Sequence, residues 1–103
     1  MKKKAYEMLN QTIILDYLKS HKKEFEEKYD ITKIGLFGSY AKNSADENSD
    51  IDIIIHTQNK NYKNRQHLKY TLENAFNKKI DLGYFDTLRG FIKNDIKEDI
   101  IYV

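Results

Sequence analysis

Apolar and polar positions repeat along this chain with two different periods, and the switches between them mark its elements. From Ala5 to Tyr29 the apolar residues recur as Leu9, Ile13, Tyr17, His21, Phe25 and Tyr29, with Ile14 and Leu18 beside them. Gaps of three and four residues put one apolar stripe on a helix. The lysines and glutamates from Lys19 to Lys28 fall mostly on the opposite face, and Glu24 precedes Lys28 by the supportive four positions. Asp30 and Thr32 end the helix. Ile31 to Phe37 then reads as a first strand, apolar at Ile34, Leu36 and Phe37, with Gly35 allowing another backbone to come close.

After Gly38-Ser39 comes a polar loop of ten residues, Tyr40 to Ser49, and then the most definite strand, Asp50 to His56. Strand residues alternate faces, so Asp50, Asp52 and Ile54 share one side and Ile51, Ile53 and Ile55 the other. The isoleucine side is the core side. The aspartate side opens on a cleft at the start of the strand and gains apolar cover further along. Thr57 to Asn61 is a polar connection. Tyr62 to Asn77 is a second amphipathic helix with Leu68, Leu72, Ala75 and Phe76 inward. Lys79 to Tyr84 is a short strand carrying a third carboxylate, Asp81. Asp86-Thr-Leu marks a helix start, Arg89 to Glu98 a last short helix with Ile92 and Ile96 inward, and the apolar tail Ile100 to Val103 either an edge strand or a partner surface. Helix, strand, strand, helix, strand, helix predicts an α/β (α+β) fold, helices packed on a small mixed sheet, in one domain spanning residues 1–103.

Composition narrows the chemistry. There is no cysteine, so disulfides and thiolate metal sites are excluded. The net charge is +2, and the lysines are spread in ones, twos and threes rather than drawn into a stripe, which argues against direct nucleic-acid binding. Glu7, Asn10, Gln11 and Asp16 interrupt any apolar leader, and no run approaches the roughly 20 apolar residues of a membrane span. A cytoplasmic protein with no membrane contact is expected. The histidines are placed as packing (His21), loop (His56) and polar helix turn (His67), and no pair has metal-ligand spacing.

What remains is a Gly-Ser turn followed by an Asp-x-Asp. A carboxylate inside an isoleucine-rich strand is costly to bury without a partner, so Asp52 calls for a chemical explanation. Magnesium takes hard oxygen ligands, commonly one or two carboxylates plus phosphates, and Asp50 and Asp52 have the same-face spacing to hold one ion or bridge two. Two such ions clamp the attacking and leaving oxygens of a phosphoryl transfer. Asp81 is the best third carboxylate, with Asp86 as the fallback at a helix cap. If Ser39 caps a short helix over Tyr40 to Lys42, its N–H groups face an anion. Tyr40 is a further nucleotide contact to test, and Arg65 and Arg89 are cations for phosphate or a partner.

Gly38-Ser39, ten residues, then Asp50-Ile-Asp52 resembles the pattern of the DNA polymerase β-like nucleotidyltransferases, and IGLFGSYAKNSADENSDIDIII resembles in particular the minimal nucleotidyltransferases (MNT). The resemblance covers nearly the whole chain and implies a polymerase β-like palm. Many such proteins are antitoxins paired with a HEPN-domain ribonuclease toxin. By that likeness the chain is expected to be a magnesium-dependent protein adenylyltransferase, moving AMP from ATP to a hydroxyl, a tyrosine, of such a toxin. Asp50, Asp52 and Asp81 would be catalytic and hold two Mg2+ ions, while Gly38, Ser39 and Lys42 would bind the nucleotide. Where many relatives read Ala-Arg-Gly this chain reads Ala41-Lys42-Asn43, trading a bidentate fork for a point charge. Two other readings stay open: a contact-only antitoxin using the apolar tail, and a small-molecule nucleotidyltransferase, for which 103 residues leave little room to hold an acceptor.

Overall fold

The computed structural model describes residues 9–88 and 90–103. Helix α1 (Gln11–Tyr29) starts where the Asn10 side chain accepts the Ile13 N–H at 2.9 Å and stops at Asp30, left-handed at φ 60. Residues 5–8, placed in this helix by the sequence pattern, lie outside the described residues. Strand β1 (Ile31–Phe37) leads into a single helical turn, α2 (Gly38–Ala41), which takes the first two residues of the expected ten-residue loop. Strand β2 (Ile51–Thr57), helix α3 (Tyr62–Phe76) and strand β3 (Ile80–Tyr84) follow. A 3-10 turn at Phe85–Thr87, helix α4 (Gly90–Ile96) and the two-residue strand β4 (Ile101–Tyr102) complete the chain. Asp86 thus sits in a 3-10 turn rather than starting a helix, and the expected inward side of Ile92 lies outside the described side chains.

The sheet order is β3-β2-β1-β4. β1 runs antiparallel to both β2 and β4, while β2 and β3 are parallel and joined across α3. It is a mixed sheet, as the element order predicts. Helices α1 and α3 lie on one face, where Ile14, Leu18, Phe25, Leu68 and Leu72 meet Ile51, Ile53 and Ile55. All of these are at most 2% exposed, so each contributes roughly 1.5–3 kcal/mol of apolar burial. Tyr29 Oη bridges α1 to α3 through Thr71 Oγ1 at 3.3 Å. Ala75 is exposed, not inward, because α3 ends one turn beyond Leu72 and only Phe76 still reaches the core. His21 stacks on Tyr17 at 4.1 Å and packs as expected.

The other face is covered only along part of its length. Ile54 is fully buried there, and beyond it His56 stacks on Phe85 at 4.8 Å and shares a 2.7 Å hydrogen bond with Tyr102 Oη. His56 lies within β2, as the strand pattern predicts, rather than in a loop beyond it; β2 runs one residue further, to Thr57, because Ile31 and Lys33 of β1 still pair with it. The apolar tail is consumed as β4, with Ile100 only 9% exposed. Gly35 makes that possible: a Cβ there would stand 2.7 Å from Ile100 Cγ2 and 3.1 Å from the Ile101 carbonyl oxygen. Gly35→Ala must push β4 away and is expected to cost about 1–3 kcal/mol, a fall of roughly 5–15 °C in Tm for a domain of this size. Thermal unfolding followed by circular dichroism checks it, and an unchanged Tm would mean β4 contributes nothing. No helix among the described residues is long and apolar enough to cross a membrane.

Candidate functional site

The uncovered part of the sheet holds the carboxylates. In the parallel pairing of β2 with β3, Ile51 lies opposite Ile80, and Asp52 opposite Asp81. Period-two alternation then turns both aspartates to the face that α1 and α3 leave free. Asp50 stands two positions before Asp52, outside β2; the ladder starts at Ile51, whose N–H donates to the Lys79 carbonyl at 3.1 Å. The expectation that Asp50 begins the strand is therefore corrected. The alternating pattern runs one residue past the point where the partner strand ends.

Asp52 is half-buried, and its carboxyl holds its proton up to about pH 6, well above the ordinary 3.8. Partial burial is the largest cause, followed by the negative charge of Asp81 and then of Asp50. Asp52, pressed by the charges of Asp81 and Asp50, thus marks a place short of positive charge. Among the described residues no three acidic or histidine groups form a set that could hold a metal ion by themselves, and Asp50 and Asp81 stand exposed on an open edge. Such an open edge suits magnesium, which is usually held by one or two carboxylates together with substrate phosphates and waters.

Above Asp52 sits the turn of α2. Gly38 has φ +76, and a Cβ on it would stand 2.9 Å from Asp52 Cγ and collide with the carboxylate oxygen. Only glycine lets the turn close onto this aspartate. Ser39 does not cap the helix: Phe37 occupies the N-cap position and makes no side-chain bond to the first turn. The turn is held from behind by Gln11, whose amide donates to the Ala41 carbonyl at 2.8 Å and to that of Tyr40 at 3.4 Å. Sequence reasoning passed over Gln11, since a polar residue at a helix start carries no chemical signature. Tyr40 is 4% exposed and belongs to the core, so it is not the nucleotide contact considered above.

The structure does not gather every expected residue. Lys42 caps α2 and lies with its Nζ 3.6 Å from Asp99 Oδ2, a solvent-exposed ion pair of small strength. Asn43 adopts φ 59, the left-handed conformation that a glycine takes most easily. The departure at Lys42-Asn43 is thus tolerated by the backbone. Asp86 is exposed, within the 3-10 turn beyond the end of β3. Arg65 donates to the Leu82 carbonyl at 2.5 Å and to Gln66 Oε1 at 2.8 Å, buttressing β3 one residue past Asp81; Arg89 lies outside the described residues.

Residues 18–103 match the family described as the nucleotidyltransferase domain. MJ0128 of Methanocaldococcus jannaschii, described as a candidate protein adenylyltransferase, is 39% identical over 96 residues, which cover 87% of this chain and 94% of that one. The protein adenylyltransferase MntA of Thermococcus cleftensis is 31% identical over 97 residues, covering 93% of this chain and 98% of its own. Among solved structures, a chain in the complex of a tri-AMPylated Shewanella oneidensis HEPN toxin with an MNT antitoxin superposes with a TM-score of 0.65 at 19% identity. It covers 89% of this chain and 70% of that one, a likeness of fold.

Proposed function

The chain belongs to the nucleotidyltransferase-domain family, and from that premise we propose that it is a protein adenylyltransferase acting as a one-domain cytoplasmic antitoxin. It transfers AMP from ATP to a hydroxyl, a tyrosine, of a HEPN-type ribonuclease toxin with which it assembles. The observation that carries this reading is the pairing of Asp52 with Asp81 beneath the Gly38 turn. It brings a carboxylate pair and the start of a helical turn to one open face.

In this reading the N–H groups of the Gly38-Ser39 turn hold the triphosphate, with Lys42 released from Asp99 to meet it. Asp50, Asp52 and Asp81 would hold magnesium, two ions, together with the substrate phosphates, and the metal would supply charge stabilisation to the attacking and leaving oxygens. Asp81, carried on the edge strand, would face the acceptor and take the proton from its hydroxyl. The hydroxyl oxygen bonds to the α-phosphorus, the bond to the β-phosphate bridge breaks, and pyrophosphate leaves with that electron pair. The relatives named as protein adenylyltransferases and the AMPylated toxin in the structural neighbour support the acceptor class. The open sheet face beside Asp52 and Asp81 leaves room for an acceptor supplied by another protein.

The contact-only reading loses its motivating feature, since the tail is folded into the sheet. Incubation with ATP labelled at the α-phosphate, magnesium and the HEPN-type protein encoded beside it is the test. Label is expected on a toxin tyrosine, with pyrophosphate released. No transfer, with Asp52→Asn behaving like the parent, sinks the proposal.

A further inference from the structure

Because Asp50 lies outside the β-ladder, something else has to aim it, and the structure shows what ties down the backbone before it. The loop ahead of Asp50 folds on itself as a tight unit. Ser49 N–H donates to the Asp46 carbonyl at 3.0 Å, Asn48 N–H to Asp46 Oδ1 at 2.9 Å, and Asp46 N–H to Ser49 Oγ at 2.9 Å. Such a self-bonded turn keeps its own shape, yet these bonds do not fix how it sits on the sheet. Lys78 does that. Its ammonium donates to the carbonyls of Glu47 and Ser49, both at 2.8 Å. Its own main chain is pinned between Asn77, the left-handed cap of α3 at φ 52, and Lys79, whose carbonyl takes the Ile51 N–H.

We propose that Lys78 is a positioning residue for Asp50: by gripping the Glu47 and Ser49 carbonyls it fixes the direction in which Asp50 enters the carboxylate set. The Ser49 carbonyl belongs to the planar peptide unit that also contains the Asp50 nitrogen, so holding that oxygen sets the plane from which Asp50 departs. A second bond to Glu47 stops the unit from swivelling about the first. An ammonium suits the task, with three donors and no preferred plane, and its charge strengthens each bond to a carbonyl. The inference rests on the reading of Asp50 as a metal ligand.

Its test has a sign that plain electrostatics cannot mimic. Removing a cation near a metal site should by charge alone tighten cation binding; loss of positioning should weaken it. Mn2+ binding in the presence of ATP, without acceptor protein, is measured by calorimetry on the parent, Lys78→Met, Lys78→Arg and Asp52→Asn. Lys78→Met is expected to bind Mn2+ about tenfold more weakly, as supporting groups around metal sites commonly do. Its Tm without metal should fall by roughly 5–10 °C as two loop bonds are lost, with the circular dichroism spectrum of the folded chain kept at the temperature of the binding measurement. Lys78→Arg should stay within about threefold of the parent. Equal or tighter Mn2+ binding by Lys78→Met overturns the inference. If the parent itself binds Mn2+ no better than Asp52→Asn, the carboxylate reading falls first and the inference with it.

Discussion

Asp52→Asn is expected to lower AMP transfer by roughly 10³-fold or more while making the folded protein more stable at neutral pH. The loss follows from removing a central carboxylate of the set, where several kcal/mol of transition-state charge stabilisation are at stake and each 1.4 kcal/mol is a factor of ten. The gain follows from linkage. The folded carboxyl releases its proton near pH 6 rather than at 3.8, so between those values the folded chain carries a proton that the unfolded chain has lost. Stability therefore falls as pH rises from about 4 to about 6, and the deficit persists above that. Allowing for solvent screening at the exposed half of the side chain, the deficit is about 1 kcal/mol. Asparagine removes it. The variant should melt roughly 4–8 °C above the parent at pH 7.5 and level with it near pH 4. Paired melts at the two pH values, with transfer assays at the higher one, decide it; a variant that is less stable at pH 7.5 contradicts the reading of a strained carboxylate set. The trade of stability for chemistry is a common property of functional sites.

Gly38→Ala should be the most damaging replacement of a residue that carries no functional group. The methyl would meet the Asp52 carboxylate, and φ +76 is costly for any residue with a Cβ. Either the turn lifts or Asp52 rotates away, and a displacement of about 1 Å at a reacting centre is enough for a hundredfold loss in rate. Stability should fall by about 2–3 kcal/mol, combining backbone strain with the collision. A double-mutant cycle with Asp52→Ala separates the two parts, since deleting the carboxylate relieves the collision and leaves the strain. Strictly additive effects on Tm would show that the turn and Asp52 do not press on each other.

The sequence made the core face of β2 legible because alternation over Ile51, Ile53 and Ile55 is unbroken, and it made α1 and α3 legible through their apolar spacing. The parallel alignment of Asp52 with Asp81 rested on Asp81 being the one further carboxylate on an apolar strand; the sheet order itself is a long-range outcome that no local window contains. The local misreadings share a cause. Asp50 has the right parity for β2 but no partner residue on β3, and Thr57 reads as connection because its partner on β1, Ile31, is invisible to a local window. Ser39 carried the chemistry of a cap, yet the turn begins one residue earlier, at a glycine whose backbone alone could place it. Gln11 and Lys78 escaped notice because their work is done on main-chain carbonyls far away in sequence.

β3 is an edge strand, bonded to β2 on one side and buttressed on the other by Arg65 through the Leu82 carbonyl. Edges with few ties open before central strands do, by excursions that leave the rest of the fold intact. Asp81 travels with that edge, whereas Asp52 stays on an inner strand. The carboxylate pair therefore comes apart at a lower free-energy cost than the domain does. Pairing of Asp52 with Asp81 is in this sense a local equilibrium, and any partner seated on the open face against β3 would shift it toward the paired state.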